Sequence, residues 1–142
     1  MKAEGNKKGF EEVLATVPLF AGLKKKQLDV VARLGHDLSF DAGQTIVKEG
    51  ELGIGFYVVL EGKAEVRRGA KVISQIGPGG FFGEMAVLDN QPRSADVVAV
   101  APTRCAAFTA WSFEALVKVR PEIPATIMAE LAKRASANAR SK

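Results

Sequence analysis

The stretch "GFYVVLEGKAEVRR", Gly55 to Arg68, carries the strongest strand signal in the chain. Aromatic and β-branched residues crowd its first half. A two-residue period puts Phe56, Val58 and Leu60 on one face and Tyr57 and Val59 on the other. Gly62 interrupts where such a strand would have to bend or turn. Downstream, "RRGAKVISQIG" reads as a hairpin turning at Gly69-Ala70. Upstream, "DLSF" and "TIVKEG" alternate or run apolar, and further on "ADVVAVAPTRCAAFT" supplies two more strands divided at Pro102. Short strands at this spacing predict an all-β sandwich or barrel and argue against a βαβ sheet.

Helical patterns flank the strands. "FEEVLATVPLF" has helix formers up to Thr16, and Pro18 breaks the pattern. "LKKKQLDVVARLG" places Leu28, Val31 and Leu34 at helical spacing, with Gly35 as the stop. After Thr109, "WSFEALVKVR" is one further helix, and "PATIMAELAKRASANARSK" from Pro124 is the last. Its stripe of Ile127, Met128, Leu131 and Ala135 is expected to pack on the strands. The break around Arg120–Pro124 is expected to serve as a hinge.

A chain of 142 residues holds one packed core, and its apolar and charged fractions are those of a globular domain. No window approaches the roughly 18 apolar residues of a membrane span. The start, "MKAEGNKKGFEE", is basic but has no apolar core like that of a secretory signal. The single cysteine, Cys105, sits in the apolar run "CAAF" and reads as a buried, reduced thiol. A cytoplasmic protein is expected. The net charge of +4 is dispersed over Lys24–Lys26, Arg67–Arg68, Lys133, Arg134, Arg140 and Lys142. No basic stripe interleaved with aromatics appears, which argues against nucleic-acid binding.

One stretch does not read as a strand: "GGFFGEMAVLDNQPRSA", Gly79 to Ala95. Its glycines let the backbone approach a ligand, and "GEMAVL" can form a short helical turn with unpaired N–H groups. Arg93 offers a forked donor set that matches two oxygens of one phosphate. Ser94 adds a hydroxyl, Ala95 keeps the backbone accessible, and Pro92 restrains the approach of Arg93. A carboxylate at Glu84 would repel a bare phosphate, yet it can accept from a ribose hydroxyl. One cation and one carboxylate suit a singly charged nucleotide. A triphosphate would call for more cations and a P-loop lysine, and no P-loop is present. From spacing alone, a surface loop closed by a Glu84–Arg93 ion pair is an equal alternative.

"FGEMAVLDNQPRSA", Phe82 to Ala95, resembles the phosphate-binding cassette of cyclic nucleotide-binding domains. That family's pattern is close to F-G-E-[ILM]-[AC]-[LIV]-L, a variable loop, then an arginine followed by Ala, Ser or Thr and then Ala. The nine-residue offset from Glu84 to Arg93 also matches. "VPLFAGL", Val17–Leu23, looks like the start of the family's N-terminal helical element, and "IVKEGELGIGFYVVLEGKAEV" looks like its glycine-rich strand pair. The resemblance spans about residues 13 to 135.

It implies a mainly β fold with flanking helices: a β-roll of jelly-roll type with an N-terminal helical element and C-terminal lid helices. A flexible tail is expected over residues 1–9 and a single domain over 10–142. Its helices would occupy about 10–35, the β-roll 36–109 and the C-terminal helices 111–141. By this resemblance the ligand set is Phe82, Gly83, Glu84, Met85, Ala86, Arg93, Ser94 and Ala95. Arg93 would bind the exocyclic oxygens of the cyclic phosphate, Glu84 the ribose 2′-hydroxyl, and N–H groups near Gly83 and Ala86 would complete the cradle. Leu131 and Arg134 are candidate lid residues over the purine, with a solvated helix face as the other reading of Arg134. Ile54 departs from the acidic residue frequent in the family at that turn. Ser94 leaves cAMP and cGMP both open, and cAMP is favoured because no other residue obviously reads a guanine.

Catalysis is not expected. His36 is the sole histidine and Cys105 the sole cysteine, so no metal cluster is expected. No nucleophile elbow or paired-acid constellation stands out, and no cofactor is expected. A transcription factor would need a helix-turn-helix after the last helix, and none is expected in this chain. The expected role is a sensor whose C-terminal helices rearrange on binding a cyclic nucleotide and signal to an unknown effector protein or domain. The alternative is the same fold with ligand binding lost, acting as a protein-interaction module.

Overall fold

The computed structural model describes residues 3–4, 7–48, 55–83 and 95–140, with side chains described except at 3, 4, 7, 8, 130, 131 and 134–140. In chain order the strands are β1 (Ala3–Glu4), β2 (His36–Phe40), β3 (Thr45–Val47), β4 (Gly55–Glu61), β5 (Ala64–Arg68), β6 (Lys71–Ile76), β7 (Phe81–Phe82), β8 (Asp96–Ala99) and β9 (Thr103–Thr109). The helices are α1 (Lys7–Leu14), α2 (Lys25–Leu34), α3 (Ala110–Val119) and α4 (Ile123–Arg140). Two antiparallel sheets form, ordered β1-β2-β9-β4-β7 and β3-β8-β5-β6.

Strand β4 sits inside the first sheet and is buried from Gly55 to Leu60. The two faces read from the sequence go to two different cores. Phe56, Val58 and Leu60 join the helices in a core with Phe10, Phe20, Phe108, Phe113 and Leu116. Tyr57 and Val59 face the roll interior, where Phe40, Ala64, Ile76, Phe82, Val97 and Cys105 meet them. The helix-side core is strongly aromatic: Phe56 lies 5.6 Å from Phe81 and 5.2 Å from Phe113 between ring centroids. Tilted and edge-on rings at such distances add to simple area burial.

The helix ends follow their local chemistry. The Gly35 N–H donates to the Val31 carbonyl and closes α2. At the start of α3, the Thr109 hydroxyl accepts from the Ser112 N–H at 3.1 Å, as an N-cap does. Helix α1 stops at Leu14, two residues before the expected Thr16, because Thr16 turns back on Val13 through both its N–H and its hydroxyl. Arg120 donates to the Leu19 carbonyl at 3.2 Å, tying the α3–α4 break to the N-terminal turn.

Ala3 and Glu4 form β1, paired to the open edge of β2 through Ala3–Ser39 and Glu4–Leu38, and α1 begins at Lys7. An edge strand with unpaired backbone groups takes a partner, and α1 is anchored by buried Phe10 and Leu14 one turn apart. Met128 does not pack on the strands: it is 59% exposed, while Ile123 and Ile127 are fully buried. Adjacent helix positions are about 100° apart, so the buried line through Ile123 and Ile127 leaves Met128 outside.

The hairpin at Gly69-Ala70 is as expected, with Arg68 paired to Lys71. The turn after β4 is held more tightly. The Thr103 hydroxyl accepts from the Lys63 N–H at 3.2 Å and donates to the Ala101 carbonyl at 2.8 Å. Gly62 has φ +94, and a Cβ there would overlap Pro102 O and the Thr103 backbone. Gly62→Ala is therefore expected to lose at least about 2 kcal/mol of stability from backbone strain and the clash. A thermal melt checks this, with an expected fall of at least about 5 °C; an unchanged melting temperature would contradict the turn geometry.

Candidate functional site

The site is built from where β7 leaves one sheet and β8 enters the other. Phe81 and Phe82 pair with Val58 and Tyr57, so their side chains fall on opposite faces of the first sheet. Phe81 enters the helix-side core, and Phe82 enters the roll, where it stacks on Tyr57 at 5.0 Å and 6° between planes. Gly83 follows with φ +88, a left-handed conformation that turns the backbone away from the strand without a Cβ penalty. The chain is described again at Ala95, which is 7% exposed and precedes β8 in the second sheet.

The registers place these two ends at one end of the roll. Phe82 lies against Tyr57, so Gly83 continues toward Gly55 and the start of β4. Asp96 pairs with Arg67, far from the Glu61–Ala64 turn that joins β4 to β5. The mouth opposite that turn thus carries both Gly83 and Ala95. Of the residues singled out in the sequence, Phe82, Gly83 and Ala95 are brought there. Glu84, Met85, Ala86, Arg93 and Ser94 lie outside the described residues, as does Ile54. Leu131 and Arg134 fall on the backbone of α4, and their side chains are outside the described set.

At the same mouth the inner face of the first sheet forms a cavity of about 240 Å³, lined by His36, Leu38, Gly55, Tyr57, Ala107 and Thr109, with Phe108 completing the wall. His36 is exposed and opens β2.

Charges within the described part are mostly structural. Asp37 is fully buried and accepts from Arg104 Nε and Nη2, both at 2.8 Å, while Glu61 lies 3.5 Å from Nη1. The Asp37 hydrogen bond holds the Arg104 guanidinium above its ordinary pKa. On the second sheet, Glu65 accepts from Arg67 at 2.8 Å and from Gln75 at 3.3 Å. The Arg67 hydrogen bond, foremost, holds the Glu65 carboxyl below its ordinary range. Burial pushes the Cys105 thiol up to about 12, so it stays protonated and unreactive at neutral pH. Among the described residues no group of three or more His, Cys, Asp or Glu could hold a metal ion, and no helix is long and apolar enough to cross a membrane.

Two features here escaped the sequence reading: the Tyr57–Phe82 stack that anchors the stretch at Gly83, and the buried Asp37–Arg104 pair. Both depend on which strands become neighbours.

A cAMP-dependent protein kinase regulatory subunit from Mycosarcoma maydis is 34% identical over 98 residues, covering 66% of this chain and 19% of that subunit. The regulatory domain of Toxoplasma gondii PKA, solved with cAMP, aligns at TM-score 0.75 and 26% identity over 89% of this chain and 50% of that one. The catabolite activator protein of Thermus thermophilus aligns at TM-score 0.74 and 31% identity over 87% and 61%. This chain therefore spans only part of the length of these relatives. Residues 37–120 match the cyclic nucleotide-binding domain. With the two-sheet roll, the flanking helices and the Phe82–Ala95 pattern, that match places the chain in the cyclic nucleotide-binding domain family.

Proposed function

We propose that this chain is a non-catalytic sensor of cyclic nucleotides, with cAMP preferred over cGMP. The observation that carries the reading is the Phe82–Ala95 pattern, whose two described ends meet at one mouth of the roll. On this reading Arg93 pairs with the exocyclic oxygens of the cyclic phosphate through two charge-assisted bonds. Glu84 accepts from the ribose 2′-hydroxyl, and N–H groups after Gly83 and near Ala86 face the phosphate. Met85, Ser94 and Ala95 line the same cradle. Leu131 and Arg134 on α4 cover the base.

The signal is a change in how α3 and α4 rest on the roll, with the break between Val119 and Ile123 as the hinge. A ligand drives such a change only through its differential affinity for the two arrangements. Relatives that are kinase regulatory subunits or solved with cAMP support a regulatory role and the preference for cAMP. The effector that receives the signal is a separate protein or domain.

Parallel calorimetric titrations with cAMP and cGMP test the reading. One saturable site is expected, tighter for cAMP. No heat and no shift in melting temperature with either nucleotide would sink it.

A further inference from the structure

The break between α3 and α4 is held from the far end of the chain. Arg120 ends α3 through its N–H, which donates to the Leu116 carbonyl at 3.0 Å. Its own carbonyl accepts from the Ile123 N–H at 3.1 Å, where α4 begins. The side chain reaches elsewhere: Nη1 donates to the Leu19 carbonyl at 3.2 Å. The guanidinium lies over that same turn, since a Cβ built on Gly22 would sit 3.8 Å from Nη2. One residue therefore meets both helices and the N-terminal turn.

That turn is anchored to the roll. Leu19 is buried, and Phe20 is fully buried with its ring 5.9 Å from that of Phe108 on β9. The Phe20 N–H donates to the Val17 carbonyl at 3.1 Å and the Leu23 N–H to the Phe20 carbonyl at 3.4 Å. Pro18 rests on Gly79, where an added Cβ would come within 3.0 Å of the proline Cδ. Beyond Arg120 the hold is lighter. Pro121 and Glu122 are exposed, and of the described side chains of α4 only Ile123 and Ile127 are buried.

The proposed ligand response moves α3 and α4 on the roll, whereas the Leu19 carbonyl stays with the roll. Arg120 travels with the helices. Its bond to Leu19, at 3.2 Å, is at the outer edge of the usual range for N–H donors, so a displacement of about 1 Å ends it. We propose that the Arg120–Leu19 bond is a latch, made in the arrangement seen here and broken in the other, through which Arg120 helps to set the balance between the two. The proposal rests on the cyclic-nucleotide reading for the ligand that shifts this balance. A contact present in only one of two arrangements must change the apparent affinity of a ligand that distinguishes them.

Arg120→Met keeps the aliphatic stem and removes the donor, and Arg120→Lys keeps a donor and the charge. Calorimetry on the full chain is expected to show cAMP affinity changed at least about threefold in Arg120→Met, with Arg120→Lys closer to the parent. A rise assigns the latch to the nucleotide-free arrangement, and a fall assigns it to the bound one. An unchanged affinity overturns the proposal, as does a lysine variant no nearer the parent than the methionine one. A second arm contains no nucleotide. Hydrogen exchange over residues 123–127 is expected to be at least about threefold faster in Arg120→Met, with β6 (Lys71–Ile76) unchanged. Equal exchange in variant and parent overturns the latch, as does an equal acceleration in β6. Should the parent bind neither cAMP nor cGMP, the cyclic-nucleotide reading fails by itself, and this arm still decides whether Arg120 holds α4.

Discussion

Arg104→Ala is expected to lose about 3–5 kcal/mol of folding stability, because it strands the Asp37 carboxylate in the protein without its guanidinium. Asp37 is fully buried, and Arg104 meets it with two nearly parallel bonds of 2.8 Å. The pair lies on the helix-side face of the first sheet, where Asp37 is opposite Ala106 and Arg104 opposite Ser39. Helix α1 passes close above: a Cβ built on Gly9 would sit 3.9 Å from Arg104 Nη2. Water admitted to an orphaned Asp37 would therefore have to displace or loosen α1. Urea unfolding followed by circular dichroism measures the loss. The double replacement Asp37→Leu with Arg104→Met should recover much of it, since breaking a buried pair costs far more than exchanging both partners for apolar groups. A loss under about 1 kcal/mol in the single variant would show that the pair is solvated in solution.

Arg93→Ala is expected to weaken cAMP binding by about 2–3 kcal/mol, roughly 30- to 150-fold, through loss of a bidentate charged contact. Arg93→Lys should recover only part of this, because an ammonium keeps the charge and loses the fork. Stability without ligand should move little in both variants, which separates a binding effect from a folding one. Calorimetry reads the affinity and a melt without nucleotide reads the fold. Binding as tight as the parent's in Arg93→Ala would remove Arg93 from the phosphate and reopen the ion-pair alternative.

These two arginines mark what could and could not be read from the sequence. Arg93 stands in a short contiguous pattern, so the role proposed for it rests on neighbours along the chain. Arg104 is distant in sequence from Asp37, and nothing local in "HDLSF" or "TRCAAF" links them until β2 and β9 become partners. The same holds for Tyr57 and Phe82, whose stack requires the β4–β7 register. Features set by a few consecutive residues were clear: the Gly69 turn, the stop at Gly35 and the two faces of β4. Strands of two residues, β1 and β7, carry too little pattern to stand out, and the pairing of β1 depends on a distant edge. Met128 misled because an apolar residue beside a helical stripe looks like part of it. Its exposure is decided by what α4 rests on.

The double burial of β4 bears on how the chain finds its alignment during folding. In a strand with one wet face, a slip of one residue drives apolar groups into water, and polarity alone rejects it. From Phe56 to Leu60 both faces are dry, so polarity gives no such veto. Size must do the rejecting instead. A slip one way would force Tyr57 into the helix-side place of Val58, opposite Phe81 and Ala106, and a slip the other way would leave Val58 in the inner place of Tyr57, against Phe82. Interiors packed to crystal density tolerate neither the overfilling nor the voids. The irregular pairing between Val59 and Glu61, and the turn at Gly62 that only a glycine fits, then act as the stop against which the strand is indexed.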